Sequence, residues 1–397
     1  MAASSPRPRA REIGLRPGRL TPGQHNGITD LPGVRVGQVS LIEGDAVRTG
    51  VTALFTHGGD PFLEKTPATP FVLNGFGKMA GLAQVAELGV VETPIVLTNT
   101  LSVPTGADAL IGWTLDRHAD VMSVNPVVGE CNDGFLNDIR GRHVRVEHVR
   151  AALEAAADGP LAEGTVGAGV GMSCYGFKGG IGTASRRVVL SDAAFVVGAL
   201  VLANFGRREE LRIDGVPLGQ ALADWSPLPL GEDARRAVEG SSSGPGEEPS
   251  PWPCPPGLEA APEGRGDRSG SVIVLIGTDA PLDGRQLGRV ARRGGLGLAR
   301  TGSTGGHGSG DFILAFSNAE PIPYRPRTSV LTRGTLAEDG PAIDLVFAAT
   351  VEAVEEAVLN ALFRAETLVG REGHRRDALP LEETLAALRR AGRLLQS

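Results

Sequence analysis

One stretch of this chain is predicted to stay out of every sheet and helix, and it divides what surrounds it. Residues 240–270 read GSSSGPGEEPSPWPCPPGLEAAPEGRGDRSG, and 19 of the 31 are Gly, Pro or Ser. Proline withholds the backbone donor that a ladder needs, and so little apolar surface is present that burial cannot repay ordering. The stretch therefore reads as a flexible linker. It ends abruptly. Ser271 opens a run of five apolar residues, Val272 to Ile276, the pattern of a strand buried on both faces. A mobile segment thus feeds directly into a core strand through a Gly270–Ser271 bond.

Around this junction the chain alternates short apolar runs with helical periodicities. Strands are predicted at 35–42, 93–100, 193–206, 271–279 and 311–319, with a glycine-punctuated β region over 164–190. Helical spacing appears over 79–89, 105–119, 144–157 and 283–294, on the face formed by Val351, Val354, Val358, Leu359, Leu362 and Phe363, and on that formed by Leu381, Leu385, Leu388 and Leu395. Sheets covered by helices, an α+β layout, accommodate this order. The N-terminal residues 1–24 are Arg-rich and lack the apolar core of a secretory signal. They read as a disordered extension, an Arg-rich transit segment being the alternative, and residues 25–397 as one domain.

Composition narrows the function. The net charge is -7, which disfavours general binding to nucleic acid or to an anionic membrane. No run of 18 apolar residues is present to span a bilayer. Three widely spaced cysteines, Cys131, Cys174 and Cys254, form neither a CxxC nor an even set, which points to a reducing compartment, the cytoplasm. His143 and His148 stand five apart, off the spacing of a helical zinc pair, so no metal and no organic cofactor is expected. Lys178 sits in GFKGG, which is not a phosphate-binding loop.

A serine at the Gly270–Ser271 junction could carry chemistry. A serine hydroxyl is a weak nucleophile until a base takes its proton. A serine at a chain terminus carries such a base itself, because its α-amine titrates at about 8 and lies within reach of the hydroxyl. Within the chain that nitrogen is a non-basic amide. Cutting the Gly270–Ser271 bond would therefore switch the site on, and Gly270 offers no side chain to obstruct attack by Ser271 on its carbonyl. Ser269 is the nearby competitor, but the apolar run begins after Ser271.

Several longer motifs then stand in order. SVIVLIGTDAPL (271–282), RRGGLGLARTGS (292–303) and SGDFILAFS (309–317), preceded by NGITDLPGVRVGQVSL (26–41), TPIVLTNTLSV (93–103), GECNDGFLNDIRG (129–141), GFKGGIGTASR (176–186) and LVLANFG (200–206), resemble the DmpA-type aminopeptidases of peptidase family S58. That group comprises L-aminopeptidase/D-esterases and β-peptidyl aminopeptidases. The resemblance implies an αββα sandwich of the DmpA/ornithine acetyltransferase type, made as one precursor that cuts itself into an α chain (1–270) and a β chain (271–397) and assembles as a tetramer of αβ units. It implies Ser271 as nucleophile, Asn204 as oxyanion donor, Ser309 and Asp311 as groups that hydrogen-bond the nucleophile and its amine, and Glu130 as the carboxylate that holds the substrate's free amino group. The implied substrates are short peptides, amides or esters with a free N-terminus. Cys131 and Asn132 depart from the Thr and aromatic residue common after that Glu, so selectivity for D- or β-residues is not carried over. Two other readings stay open: an acyltransferase of the ornithine acetyltransferase type, which uses Thr at the new terminus, and a scaffold that never matures.

Overall fold

In a computed structural model, residues 7–226 and 270–394 are described. The predicted linker, apart from Gly270, and Cys254 lie outside them, as do residues 1–6. The strand at the junction explains the architecture. β9, as numbered along the chain below, spans Ser271–Thr278, and all eight residues are buried. Val272, Val274 and Ile276 join one core, whereas Ile273 and Leu275 join another. A strand with two cores needs a layer on each side, and both are present.

One side is helical. β9 runs parallel to β10 (Gly310–Ser317), and a parallel pair needs a crossover, which is α4 (Gly284–Arg300). Asp283 caps that helix by accepting from the Gln286 N–H at 2.7 Å, while Gln286 Oε1 accepts from the Asp283 N–H at 3.1 Å. α4 packs beside α5 (Pro341–Arg364), and with α6 (Leu381–Arg390) they cover the sheet. The other side is a second sheet. β1 (Arg35–Glu43), β2 (Val47–Phe55), β5 (Ile95–Asn99), β6 (Val127–Cys131) and β4 (Met79–Ala80) are ordered β1-β2-β5-β6-β4. Here too a parallel pair, β5 and β6, is joined through a helix, α2 (Val103–Leu115). α2 and α3 (Val146–Glu154) cover the outer face of this sheet. The larger, seven-stranded sheet runs β7 (Gly180–Val189), β8 (Ala194–Asn204), β9, β10 and β3 (Glu64–Gly75), with two-residue strands on β3. The four layers form the αββα sandwich that the resemblance implies.

Several sequence expectations need correction. The helix over 283–294 continues to Arg300, because Gly294 and Gly297 are packing glycines and not a helix stop: a Cβ on Gly294 would lie 3.0 Å from Ile276 and Ile313, and one on Gly297 2.7 Å from Val354. The β region over 164–190 holds one long strand only, Gly180–Val189. Its first half is loop and short turns held by close backbone approach, as at Gly180, where φ is +148° and a Cβ would sit 1.9 Å from the Gly164 carbonyl oxygen. The strands β2, β3 and β6 were not anticipated. β3 contains Pro67 and Pro70, which weaken its strand signal. Pro70 has the parity of Ala68, whose N–H points away from β10 to the Gly89 carbonyl, and Pro67 lies beyond the β3–β10 ladder, which ends at the Ala68–Phe316 pair.

The largest correction concerns the N-terminus. Residues 7–24, expected as a disordered extension, lie against α5. Ala10 and Leu15 are buried in the helix-side core, the Ala10 N–H donates to Asn360 Oδ1 at 3.1 Å, and Arg7 Nε donates to the Phe363 carbonyl at 2.9 Å. The anchor is ionic. Arg186 on β7 is fully buried and reaches Glu352 at 3.0 Å and Glu356 at 2.7 Å. Glu356 also binds Arg11 at 2.8 Å, and Glu352 accepts from the backbone N–H groups of Arg19 and Leu20 at 2.8 and 3.0 Å. Arginines that read as a solvated tail are thus partners for buried carboxylates. Glu356→Ala leaves Arg186 short of a partner in the core, so it is expected to cost about 3 kcal/mol or more, read as a lowered midpoint in urea unfolding.

Candidate active site

The ends of strands from both sheets meet at one edge of the sandwich. Ser271 is the first residue of β9 and, like Ile273 and Leu275, faces the space between the sheets. It is buried, and its Oγ accepts from the Gly310 N–H at 3.2 Å. The same N–H reaches the carbonyl oxygen of Gly270, also at 3.2 Å. One backbone donor therefore holds the hydroxyl and the preceding carbonyl side by side. Gly270 is required by packing as well, since a Cβ there would fall 2.6 Å from Phe205 Cα.

Asn204 is the last residue of β8 and stands directly opposite Ser271 in the antiparallel pair. Opposed residues share a face, with Cβ atoms about 5 Å apart. The amide is fixed at both ends: Oδ1 accepts from the Ser173 N–H at 2.8 Å, and Nδ2 donates to the Asn132 carbonyl at 3.0 Å. An amide nitrogen has two N–H groups, so one is left to donate to an oxygen bound beside Ser271.

Ser309 and Asp311 flank Gly310. Ser309 Oγ donates to Asp311 Oδ1 at 2.5 Å, and Asp311 Oδ2 is buried with no hydrogen-bond partner among the described residues. Burial pushes the Asp311 carboxyl above the ordinary aspartate range, against the lowering effect of the Ser309 hydrogen bond. Among the described residues no hydrogen bond joins either side chain to Ser271. The pair instead straddles the residue whose N–H holds the serine, and so fixes that donor. Asn74, which the sequence did not single out, secures the same loop by donating to the carbonyls of Gly306 and His307, both at 3.0 Å.

Glu130 comes from the other sheet, on β6. It is buried; Oε1 accepts from the Lys78 N–H at 2.9 Å and Oε2 from the Thr100 hydroxyl. Burial raises its pKa, opposed by Thr100 and Lys78. Gly77 lies between it and the start of β10: a Cβ on Gly77 would sit 3.5 Å from Glu130 Oε1 and 2.9 Å from Gly310 Cα. Only glycine lets the two sheets' polar groups come this close. Thr100 and Lys78 were missed by sequence reasoning, although Thr100 lies in the TPIVLTNT run. Cys131 points away into the inter-sheet core, with Sγ 3.6 Å from the Leu202 carbonyl, and burial pushes its thiol well up, so it is no nucleophile.

Two cavities flank this cluster. One, about 530 Å³, is lined by Gly270, Phe205, Arg207, Glu210, His307 and Ser309, among others. The other, about 610 Å³, is lined by Gly77, Lys78, Met79, Thr100, Leu101 and Phe312, among others, and so adjoins the two partners of Glu130. Phe76 forms part of the first and its neighbours Gly75 and Gly77 part of the second, so this end of β3 divides them. No group of histidines, cysteines and acids spaced to hold a metal ion occurs among the described residues.

The sequence matches Peptidase family S58 over residues 26–376. It is 41% identical to the β-peptidyl aminopeptidase BapA of Sphingosinicella microcystinivorans, over 99% of this chain and 95% of that protein. The fold is similar to the crystal structure of the PH0078 protein from Pyrococcus horikoshii OT3, with a TM-score of 0.84 and 45% identity, covering 98% of this chain and 100% of the other. It is also similar to the L-aminopeptidase D-Ala-esterase/amidase from Ochrobactrum anthropi, described as a prototype of the serine aminopeptidases and a variant of the Ntn hydrolase fold. There the TM-score is 0.83 and the identity 36%, covering 98% of this chain and 100% of the other.

The contact at Gly310 is open to test. A Cβ there would lie 2.7 Å from Gly77 Cα and 2.9 Å from the Phe76 carbonyl oxygen, backbone on both counts, whereas one on Gly306 meets nothing within 4 Å. Gly310→Ala should therefore destabilise by about 1–3 kcal/mol, read as a drop in melting temperature that Gly306→Ala does not show.

Proposed function

The chain belongs to peptidase family S58 and is an aminopeptidase; from that premise we propose that Ser271 is its nucleophile, released by cleavage of the Gly270–Ser271 bond. The observation that carries this reading is the shared Gly310 N–H, 3.2 Å from both the Gly270 carbonyl oxygen and Ser271 Oγ. It holds the reacting pair together and can stabilise the oxyanion that forms on attack. Ser271 Oγ adds to the Gly270 carbonyl carbon, its proton passes to the Ser271 nitrogen as the C–N bond breaks, and water hydrolyses the resulting ester. The products are a Gly270 carboxylate and a serine with a free α-amine.

In turnover that amine takes the hydroxyl proton while Oγ attacks the acyl carbon of the substrate's first residue. The free N–H of Asn204 donates to the oxyanion, a contribution of about 3 kcal/mol for one well-placed donor. Glu130 pairs with the substrate's ammonium, which restricts the reaction to free N-termini. The protonated α-amine then gives its proton to the departing amine, and water releases the acyl group. The substrates are short peptides, amides or esters. Assembly as a tetramer of αβ units and a cytoplasmic location complete the proposal; the first is supported by family membership, the second by the two unpaired, buried cysteines among the described residues.

Intact mass tests the first step. The wild type should yield a fragment beginning at Ser271, and Ser271→Ala an unbroken chain inactive on a panel of α- and β-aminoacyl p-nitroanilides. Turnover by that variant, or by the uncut wild type, would overturn the assignment. The acid limb of the pH profile tests Glu130. Because burial raises its pKa, the carboxylate takes up a proton at a higher pH than a free glutamate, and in that form it no longer pairs with an ammonium. KM should thus rise as pH falls, starting above the usual glutamate range, and Glu130→Gln should show a raised KM with that limb removed.

A further inference from the structure

We infer that the cavity beside Gly270 receives the leaving group, and that Arg207 selects leaving groups with a free carboxylate, so that dipeptides are the preferred class of peptide. This rests on the nucleophile assignment above. The departing amine must collect its proton from the Ser271 nitrogen, so the leaving group stands on that nitrogen's side. Before cleavage the nitrogen carries Gly270, and Gly270 lines this cavity. The acyl side is already occupied by Glu130, whose partners Thr100 and Lys78 line the other cavity.

Charge within the cavity is unevenly committed. Glu210 has both oxygens engaged, accepting from the Arg207 N–H at 2.9 Å and from the Thr304 hydroxyl at 3.3 Å. The Arg207 guanidinium, by contrast, is exposed and makes no ion pair or hydrogen bond among the described residues. The anion is tied down by neutral donors and the cation is free. A guanidinium offers a planar, two-pronged match to a carboxylate. Its position suits a short substrate: Arg207 follows Asn204 by three residues, so their Cα atoms lie within about 11 Å. The side chain can then reach a carboxylate one residue beyond the bond being cut.

The test uses the cleaved enzyme, verified by mass, with three substrates: a dipeptide, the same dipeptide as its C-terminal amide, and the aminoacyl p-nitroanilide. For Arg207→Ala, kcat/KM on the free dipeptide should fall about tenfold, carried mainly by KM, the scale of one charge-assisted contact. The amide and the anilide should stay within twofold. Arg207→Lys should recover part of the loss, and Arg207→Glu should deepen it on the free acid alone. Equal losses on all three substrates, or none on the free dipeptide, would overturn the carboxylate site while leaving the aminopeptidase reading intact. A cleaved wild type inert toward all three would overturn both.

Discussion

The parallel pairing of β9 with β10 decides what can stand beside Ser271. Register places Ser271 against Gly310, and the antiparallel partner on the other side places it against Asn204. Neither neighbour could be shifted by one position without turning every side chain of its strand to the wrong core, and both faces of β9 are fully packed. The site is therefore held by the whole sandwich. Buried hydrophobic strands supply the rigidity, and polar groups at the strand ends supply the chemistry.

The second sheet matters for a different reason. Its strand β6 brings Glu130 to the same edge, and the close pass of Gly77 over Gly310 permits the proposal that one carboxylate and one serine serve a single small molecule. A carboxylate in so dry a setting is costly to ionise, and the Thr100 hydroxyl and Lys78 N–H offset only part of that cost. A bound ammonium would supply the rest. On the proposed role of Glu130, selectivity for a charged N-terminus and the cost of ionising this carboxylate are two aspects of one arrangement.

Much of this was legible in the sequence, for identifiable reasons. β9 announced itself because five consecutive apolar residues after a Gly/Pro-rich stretch admit few other readings. Gly270 and Ser271 stand out because the Gly/Pro-rich stretch gives way to an apolar run between them, and Asn204, Glu130, Ser309 and Asp311 because they sit in long motifs; the roles of all six belong to the proposal. What stayed hidden depends on tertiary contact. Thr100, Lys78 and Asn74 act by hydrogen bonding to groups far away in the chain, and even the motif that holds Thr100 does not show which partner it meets. The Ser309–Asp311 hydrogen bond across Gly310 also depends on the fold and is not marked by the motif alone. The N-terminal arm misled most, because arginines that pair with buried carboxylates on α5 look, in one dimension, like any solvated basic tail. The helix read over 283–294 falls short of Arg300 because close packing at Gly294 and Gly297 leaves no local trace.

The strand order of the larger sheet has a consequence for a molecule cut at Gly270–Ser271 as proposed. β9 and β10 come from the C-terminal piece, yet they lie between β8 and β3 of the N-terminal piece. The two pieces are interleaved, so neither can leave without tearing the sheet. The cut product should persist as one body with no covalent link across position 270. Its unfolding is another matter, for once the pieces diffuse apart their reunion becomes a second-order encounter, and neither half retains the larger sheet whole. On that proposal folding would come first, as a single strand of peptide, and cleavage would leave a fold secured by kinetics.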